Sequence, residues 1–209
     1  MIIFLIITFL LLAVLIFLDR KLKNPYKLYL ILGNKGTGKT AYMATLAYKY
    51  KKKGYKVYSN FDLMGLSEII GDDYYNKKYE YNSVLFIDET GLIHDNRNFK
   101  SFPKKAVEFY KYQRKRKLII YLSSQSVDID KKIRDLVDYH ILLRRFLPIV
   151  FPIYYHKVMK VEKQMDTGGL EIIDTLTTGF IPIKFSDIFI LNFIINKYDT
   201  NEEIKTEGN

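Results

Sequence analysis

The residues best suited to chemistry lie in one run, Gly33-Asn34-Lys35-Gly36-Thr37-Gly38-Lys39-Thr40, which fits the pattern G-x-x-x-x-G-K-[ST]. Glycines at 33, 36 and 38 let the backbone curl so that successive N–H groups point inward at a phosphate chain. A helix starting at the end of the run adds the positive end of its dipole. The expected phosphate-contacting stretch therefore extends from Gly33 through Ala41. Lys39 would bridge the β- and γ-phosphates, and the Thr40 hydroxyl would be a magnesium ligand. The cofactors implied are ATP and Mg2+.

Two further stretches complete a reaction centre. Ser83-Val84-Leu85-Phe86-Ile87 is a continuous apolar run that ends in Asp88-Glu89. Asp88 would hold the magnesium through its water shell, and Glu89 would polarise the attacking water. Leu118-Ile119-Ile120-Tyr121-Leu122 ends in Ser123-Ser124-Gln125. A polar side chain on the strand beside the acidic strand can reach a γ-phosphate, which makes Gln125 the candidate sensor.

These groups need a scaffold that brings strand tips together. Lys27 to Leu32 reads as a buried strand before the glycine loop, and the segment after it reads as a helix stopping at Gly54. Lys56 to Asn60, Ser83 to Ile87, Leu118 to Leu122 and Tyr139 to Leu143 read as further strands. Apolar runs ending in polar residues are the signature of central parallel strands whose C-terminal tips carry the site. Helices are expected over Leu66 to Ile70, Phe102 to Lys115 and Lys131 to Val137. The expected fold class is α/β, a three-layer sandwich around a central parallel sheet.

The 209 residues carry a net charge of +10, which favours a polyanionic partner, either nucleic acid or an anionic membrane face. The absence of cysteine excludes disulfides and cysteine-based zinc sites, and His94, His140 and His156 lack metal-ligand spacing. From Arg97 to Lys117 there are nine basic residues against one acid, Glu108. Arg114, Lys115, Arg116 and Lys117 would close the helix, where its dipole favours cations. The one-sided density points beyond a cap to a DNA-facing surface. Between Tyr74 and Tyr81, tyrosines alternate with lysines, a pattern that fits either base stacking or a solvated loop.

Ile2 to Leu18 is apolar apart from Thr8, and Arg20, Lys21, Lys23 and Lys27 follow. This reads as a short transmembrane helix with its positive flank inside, so the N-terminus is outside and the body cytoplasmic. The expected organisation is an anchor over 1–19, a basic linker over 20–26 and a nucleotide-binding domain over 27–145. A C-terminal β-hairpin and apolar extension over 146–198 and a disordered tail over 199–209 complete it. The hairpin would pair Tyr154–Lys163 with Leu170–Thr177, and Phe185 to Tyr198 would form a docking helix.

Taken in order, GNKGTGKT, VLFIDE, QRKRKLIIYLSSQ and DIDKKIRDLVD resemble the zonula occludens toxin (Zot) domain shared with the morphogenesis ATPases of filamentous phages. The resemblance covers about residues 27 to 145. It implies a P-loop ATPase of the additional-strand, catalytic-glutamate type, akin to hexameric DNA pumps. It implies assembly as a homo-oligomeric ring that exports single-stranded DNA across an inner membrane, with coat or assembly-channel proteins as partners. On this resemblance Lys39, Thr40, Asp88, Glu89 and Gln125 match the reaction centre. Arg114 matches a basic position before the sensor strand, and Arg134 matches an arginine that acts as a finger on a neighbouring subunit. Gln113 stands where a histidine is expected, and the apolar run precedes the ATPase region instead of following it. A conjugation-type or plasmid DNA-translocating ATPase, and a non-hydrolysing nucleotide-dependent scaffold at the membrane, are the alternatives.

Overall fold

Bulky apolar residues on both sides of each pleat force the strands into the middle of the molecule, and helices must cover both faces. The computed structural model describes residues 24–71, 73–88, 90, 104–125, 131–146, 148–163, 170–183 and 187–190, with helical residues 4, 6–12 and 14. In chain order the elements are β1 (Leu28–Leu32), α1 (Lys39–Lys52), β2 (Lys56–Ser59), β3 (Glu68–Ile69), a 3-10 turn (Tyr74–Asn76) and β4 (Ser83–Ile87). They continue with α2 (Lys104–Lys111), β5 (Leu118–Ser124), α3 (Lys131–Leu136), β6 (Tyr139–Phe146), β7 (Ile149–Lys163), β8 (Leu170–Ile183) and β9 (Phe189–Ile190).

All nine described strands share one sheet, ordered β3-β2-β4-β5-β1-β6-β7-β8, with β9 on β7. Every pairing from β3 to β6 is parallel. β5 lies between the glycine-loop strand β1 and the acidic strand β4, the interposed strand that the resemblance implies. Beyond β6 the sheet turns antiparallel, and β6 itself runs through residue 145 to Phe146.

Two apolar layers sandwich this sheet. One packs Tyr42, Met43 and Leu46 of α1 against Ile31, Phe86 and Ile141. The other packs Phe109 and Tyr110 of α2, Ile133 of α3 and Tyr74 against Leu30, Leu85 and Leu122. Tyrosine does much of this filling. Tyr121 stacks on Tyr29 at 4.5 Å and on Phe86 at 5.1 Å, and its hydroxyl meets that of Tyr50 at 3.0 Å. Burial pushes the hydroxyl of Tyr121 well above its usual pKa, so it stays protonated and available as a donor. The helix stop at Gly54 is a Schellman cap: Gly54 N donates to Lys51 O, Tyr55 N donates to Tyr50 O, and Gly54 has φ 82°.

Several local expectations change. Leu66 to Ile70 is not a helix: Glu68–Ile69 adds a strand to the open edge of β2, and Ile70 N donates to Ser59 O at 2.8 Å. The turn before it, with Met64 at φ 55° and Gly65 at φ 66°, redirects the chain. α2 ends at Lys111, so Arg114 to Lys117 occupy the turn that follows the helix and not its last turn. That turn closes through Leu118 N donating to Gln113 O, with Lys117 at φ 54°. Tyr74 is fully buried and bonded through its hydroxyl to Tyr110, so it belongs to the core and not to a base-stacking platform. β7 begins five residues before Tyr154 and accommodates Pro152 opposite Leu143. The hairpin pairs Lys163 with Leu170 as expected. In the region read as a docking helix, Phe189–Ile190 is instead a strand against β7, and residues 191–198 lie outside the described residues.

A polar relay ties this C-terminal region to α1. Lys49 Nζ donates to Asp187 Oδ1 at 3.1 Å, Tyr154 OH donates to Asp187 Oδ2 at 2.5 Å, and Tyr154 meets Tyr42 OH at 2.8 Å. The helix that follows the glycine loop is thus fastened to β7 and to the segment beside β9.

Candidate functional site

In a parallel sheet the C-terminal tips of β1, β4 and β5 share one edge, and the glycine loop, Asp88 and Gln125 leave the strands there. Gly36 at φ 79° and Gly38 at φ 88° take the left-handed conformation that turns the loop into α1. A Cβ on Gly33 would stand 2.6 Å from Thr37 Oγ1, a hydroxyl engaged with Asn34 O at 2.7 Å. A side chain at Gly33 would therefore displace the Thr37 hydroxyl from its bond to the loop. Asn34, Lys35 and Gly36 are exposed at its tip, and Ala41 is buried in the first turn of α1.

Lys39 is 8% exposed, with its ammonium donating to Gly33 O at 2.9 Å and Asn34 O at 3.4 Å. A cation curled back onto loop carbonyls is positioned at the mouth of the same loop whose N–H groups suit phosphate. Thr40 Oγ1 donates to Asp88 Oδ2 at 3.2 Å. Thus residues 48 apart in sequence, the proposed metal hydroxyl and the proposed metal carboxylate, meet across β1 and β4.

Asp88 is held from three directions. Ser123 Oγ donates to its Oδ1, Thr40 to its Oδ2, and Asn60 brackets its backbone. Asn60 Oδ1 accepts from Asp88 N at 2.8 Å, and Asn60 Nδ2 donates to Asp88 O at 3.2 Å. Sequence reasoning missed Asn60 and Ser123. Both stand at the C-terminal tip of a strand adjoining β4, the position rule that had singled out Gln125. Gln125 follows directly on the last residue of β5 and is exposed. Arg145 was also missed as a neighbour of the loop: from the end of β6 its Nη1 donates to Gly36 O at 3.4 Å.

The other expected residues fall elsewhere. Glu89 lies outside the described residues. Arg134 is half-buried on α3, close enough that its charge, with that of Lys157, adds to the burial that pushes His140 down to a pKa of about 4. Arg114, Lys115, Arg116 and Lys117 are all exposed, but they precede β5 and so lie at the sheet edge opposite the glycine loop. The length of β5, seven residues or about 20 Å, separates them from Gln125. Among the described residues no group of His, Asp and Glu has metal-holding geometry by itself. No helix among them is long and apolar enough to cross a membrane.

The residues present fit a magnesium nucleotide. The left-handed Gly36 and Gly38 turn the loop backbone into a cradle, Lys39 supplies a movable cation, and Thr40 with Asp88 supplies hard oxygen ligands. A bound metal ion would neutralise charge on the phosphates. Ser123 and Asn60 hold the Asp88 carboxylate and backbone in place.

Sheet order, loop and carboxylate together define a P-loop nucleotide-binding protein. A family described as an AAA domain matches residues 25–154, more than half of the chain, and the chain belongs to that family. Among solved structures it is similar to the N-terminal domain of zonular occludens toxin from Neisseria meningitidis. The two share 16% identity and a TM-score of 0.50, over 78% of this chain and 96% of the other. It is also similar to the genome packaging NTPase B204 from Sulfolobus turreted icosahedral virus 2 in complex with ATP-gammaS, at 16% identity and TM-score 0.48. That match covers 72% of this chain and 97% of the other. No curated protein sequence matches the chain.

Proposed function

We propose that the protein is a membrane-anchored ATPase that uses ATP to move DNA through a membrane, as in the assembly and export of a filamentous phage. The observation that carries the ATPase half is the meeting of Thr40 and Asp88 at 3.2 Å beneath a glycine loop, with β5 interposed between their strands. Glu89, the next residue in sequence after Asp88, is assigned the water-activating role, and Gln125 the contact to the γ-phosphate. Arg134 is assigned to a neighbouring subunit's nucleotide, which requires a ring.

The DNA half rests on the ordered resemblance to the Zot domain, with single-stranded DNA as the cargo. Membrane anchoring is supported by the N-terminal run. Phe4, Ile6, Ile7, Phe9, Leu10 and Leu12 are between 53% and 73% exposed, a helical surface apolar on more than one face and left uncovered by the described residues. With the basic flank inside, the nucleotide site faces the cytoplasm, where ATP is available.

The test is the ATPase rate of the full chain in vesicles, alone and with single- or double-stranded DNA. Stimulation by single strands supports export. A rate indifferent to both kinds of DNA would remove the DNA half and leave a nucleotide-dependent scaffold.

A further inference from the structure

The basic turn and the entry of the N-terminal run share one edge of the molecule. Residues 26–27 lead into β1, 81–82 into β4 and 112–117 into β5, and these strands are parallel neighbours. The connections are direct. Gln113 Nε2 donates to Tyr26 O at 3.4 Å, Tyr26 OH bonds Asn82, Asn82 N donates to Lys117 O at 3.1 Å, and Ile120 N donates to Lys27 O at 3.1 Å. Asn24 is bonded to Tyr26 through both its side-chain atoms, which pins the chain at this point.

Chain length then limits where the apolar run ends. Asn24 is six positions along the chain from Leu18, so Leu18 lies within about 22 Å of it even if fully extended. Arg20, Lys21 and Lys23 fill that tether. A helix anchored in a bilayer would hold this edge of the sheet at the membrane surface and point the glycine-loop edge away from it.

The chemistry of the edge suits an anionic interface. Lys117 Nζ sits over the ring of Tyr81 and Lys115 Nζ over that of Tyr112, each at 5.1 Å, with the two rings 70% and 41% exposed. Paired exposed aromatic rings and cations are what headgroup layers favour. Behind them opens a cleft of about 620 Å³ that Lys77, Lys78, Lys105, Lys115 and Arg116 line, against one acid among the described residues, Glu108. Cations converging on a cleft of this size can take lipid phosphates.

We propose that Arg114–Lys117, with Tyr81, Tyr112 and the adjoining cleft, is a docking face for the anionic lipid headgroups of the membrane that holds the N-terminal run, and not the DNA-contacting surface. The proposal rests on the anchored reading above. The face orients the domain so that the nucleotide edge stays open to the cytoplasm, and it places DNA contacts elsewhere on the ring.

The chain has no tryptophan, so Tyr81→Trp gives a single reporter at an exposed position. Full-length Y81W is reconstituted into vesicles of phosphatidylcholine alone or with phosphatidylglycerol, with and without a headgroup-attached quencher. The expected result is a blue-shifted emission and about twofold or greater quenching in the phosphatidylglycerol vesicles, reduced by salt. The response should vanish when Arg114, Lys115, Arg116 and Lys117 are all changed to Gln, with the thermal midpoint unchanged. Equal emission and quenching in both vesicles overturns the proposal. So does a single-stranded oligonucleotide that shifts the emission in neutral vesicles only while the four cations are present, because that makes the face a nucleic-acid surface. Flotation with neutral vesicles reports separately on the anchor: protein that floats while the Y81W emission ignores lipid charge leaves anchoring standing and removes only the face.

Discussion

The two edges of the sheet use polar residues in opposite ways. At the edge where the strands end, side chains turn inward: Ser123, Thr40 and Asn60 all converge on Asp88, and Lys39 folds back onto its own loop. At the edge where the strands begin, side chains turn outward, and Arg114 to Lys117 stand exposed in a turn. Converging, hydrogen-bonded groups are sensitive to a shift of a fraction of an ångström, as chemistry requires. Dispersed surface cations act through summed charge, so any one of them contributes little. Mutations at the first edge should therefore be severe and specific, and at the second graded and salt-dependent.

The sharpest contrast is Lys39→Ala. On the proposed function Lys39 contacts phosphates in the ground state and the transition state alike, so affinity and turnover should fall together, each by about 10²-fold or more. Equilibrium binding of a fluorescent ATP analogue beside the steady-state rate checks it. Nucleotide affinity left intact would show that the loop carries binding without its lysine.

Asp88→Asn comes next. Removing the charge while keeping the shape should raise the magnesium requirement about 10–100-fold. Ser123→Ala should produce a smaller rise of the same kind, because it frees the carboxylate without removing it. Magnesium titrations of activity separate the two, and no change in either would break the assignment of this cluster to the metal.

A steric change sharpens the picture of the loop itself. Gly33→Ala places a methyl against Thr37 Oγ1 and should weaken nucleotide binding about tenfold. Adding Thr37→Ala should restore part of the loss. If the double variant is no better than the single one, the clash is not the cause.

The smallest effect is on stability, away from both edges. His140 is buried in β6, with Nδ1 unpartnered among the described residues, and its pKa is pushed from the ordinary 6.5 to about 4 by burial first and by Lys157 and Arg134 next. The unfolded chain takes up this proton near pH 6.5 and the folded chain only near 4. Stability from this group is therefore full above 6.5 and is lost as pH falls towards 4, by about 3 kcal/mol at most. Urea midpoints of His140→Gln should change less across that window than those of the parent.

Much of the nucleotide edge was legible because its signals are local. A glycine pattern with Lys-Thr specifies a loop conformation within eight residues, and an apolar run ending in acid specifies a strand tip. The side chains that hold Asp88 were not, since Asn60 and Ser123 reach it from different strands and only tertiary placement joins them. The end of the helix before the far edge was not legible for another reason. The helix period was carried through Lys115, while Gln113 turns inward and ends the helix four residues earlier. One rule would have located the cations without coordinates: a turn entering a parallel strand lies at the opposite edge from a turn leaving one. The short strand at Glu68–Ile69 escaped because residues on an open edge take their conformation from a neighbour and not from their own pattern.

The central claim, that the edge bearing the glycine loop hydrolyses ATP through the acid beside Asp88, is tested most directly by Glu89→Gln. The amide keeps the size and most hydrogen bonding of the carboxylate but cannot accept a proton from water. Magnesium-ATP affinity should match the parent, while single-turnover hydrolysis should fall about 10²–10⁴-fold. Hydrolysis at the parental rate would contradict the claim and leave the protein a nucleotide-binding scaffold.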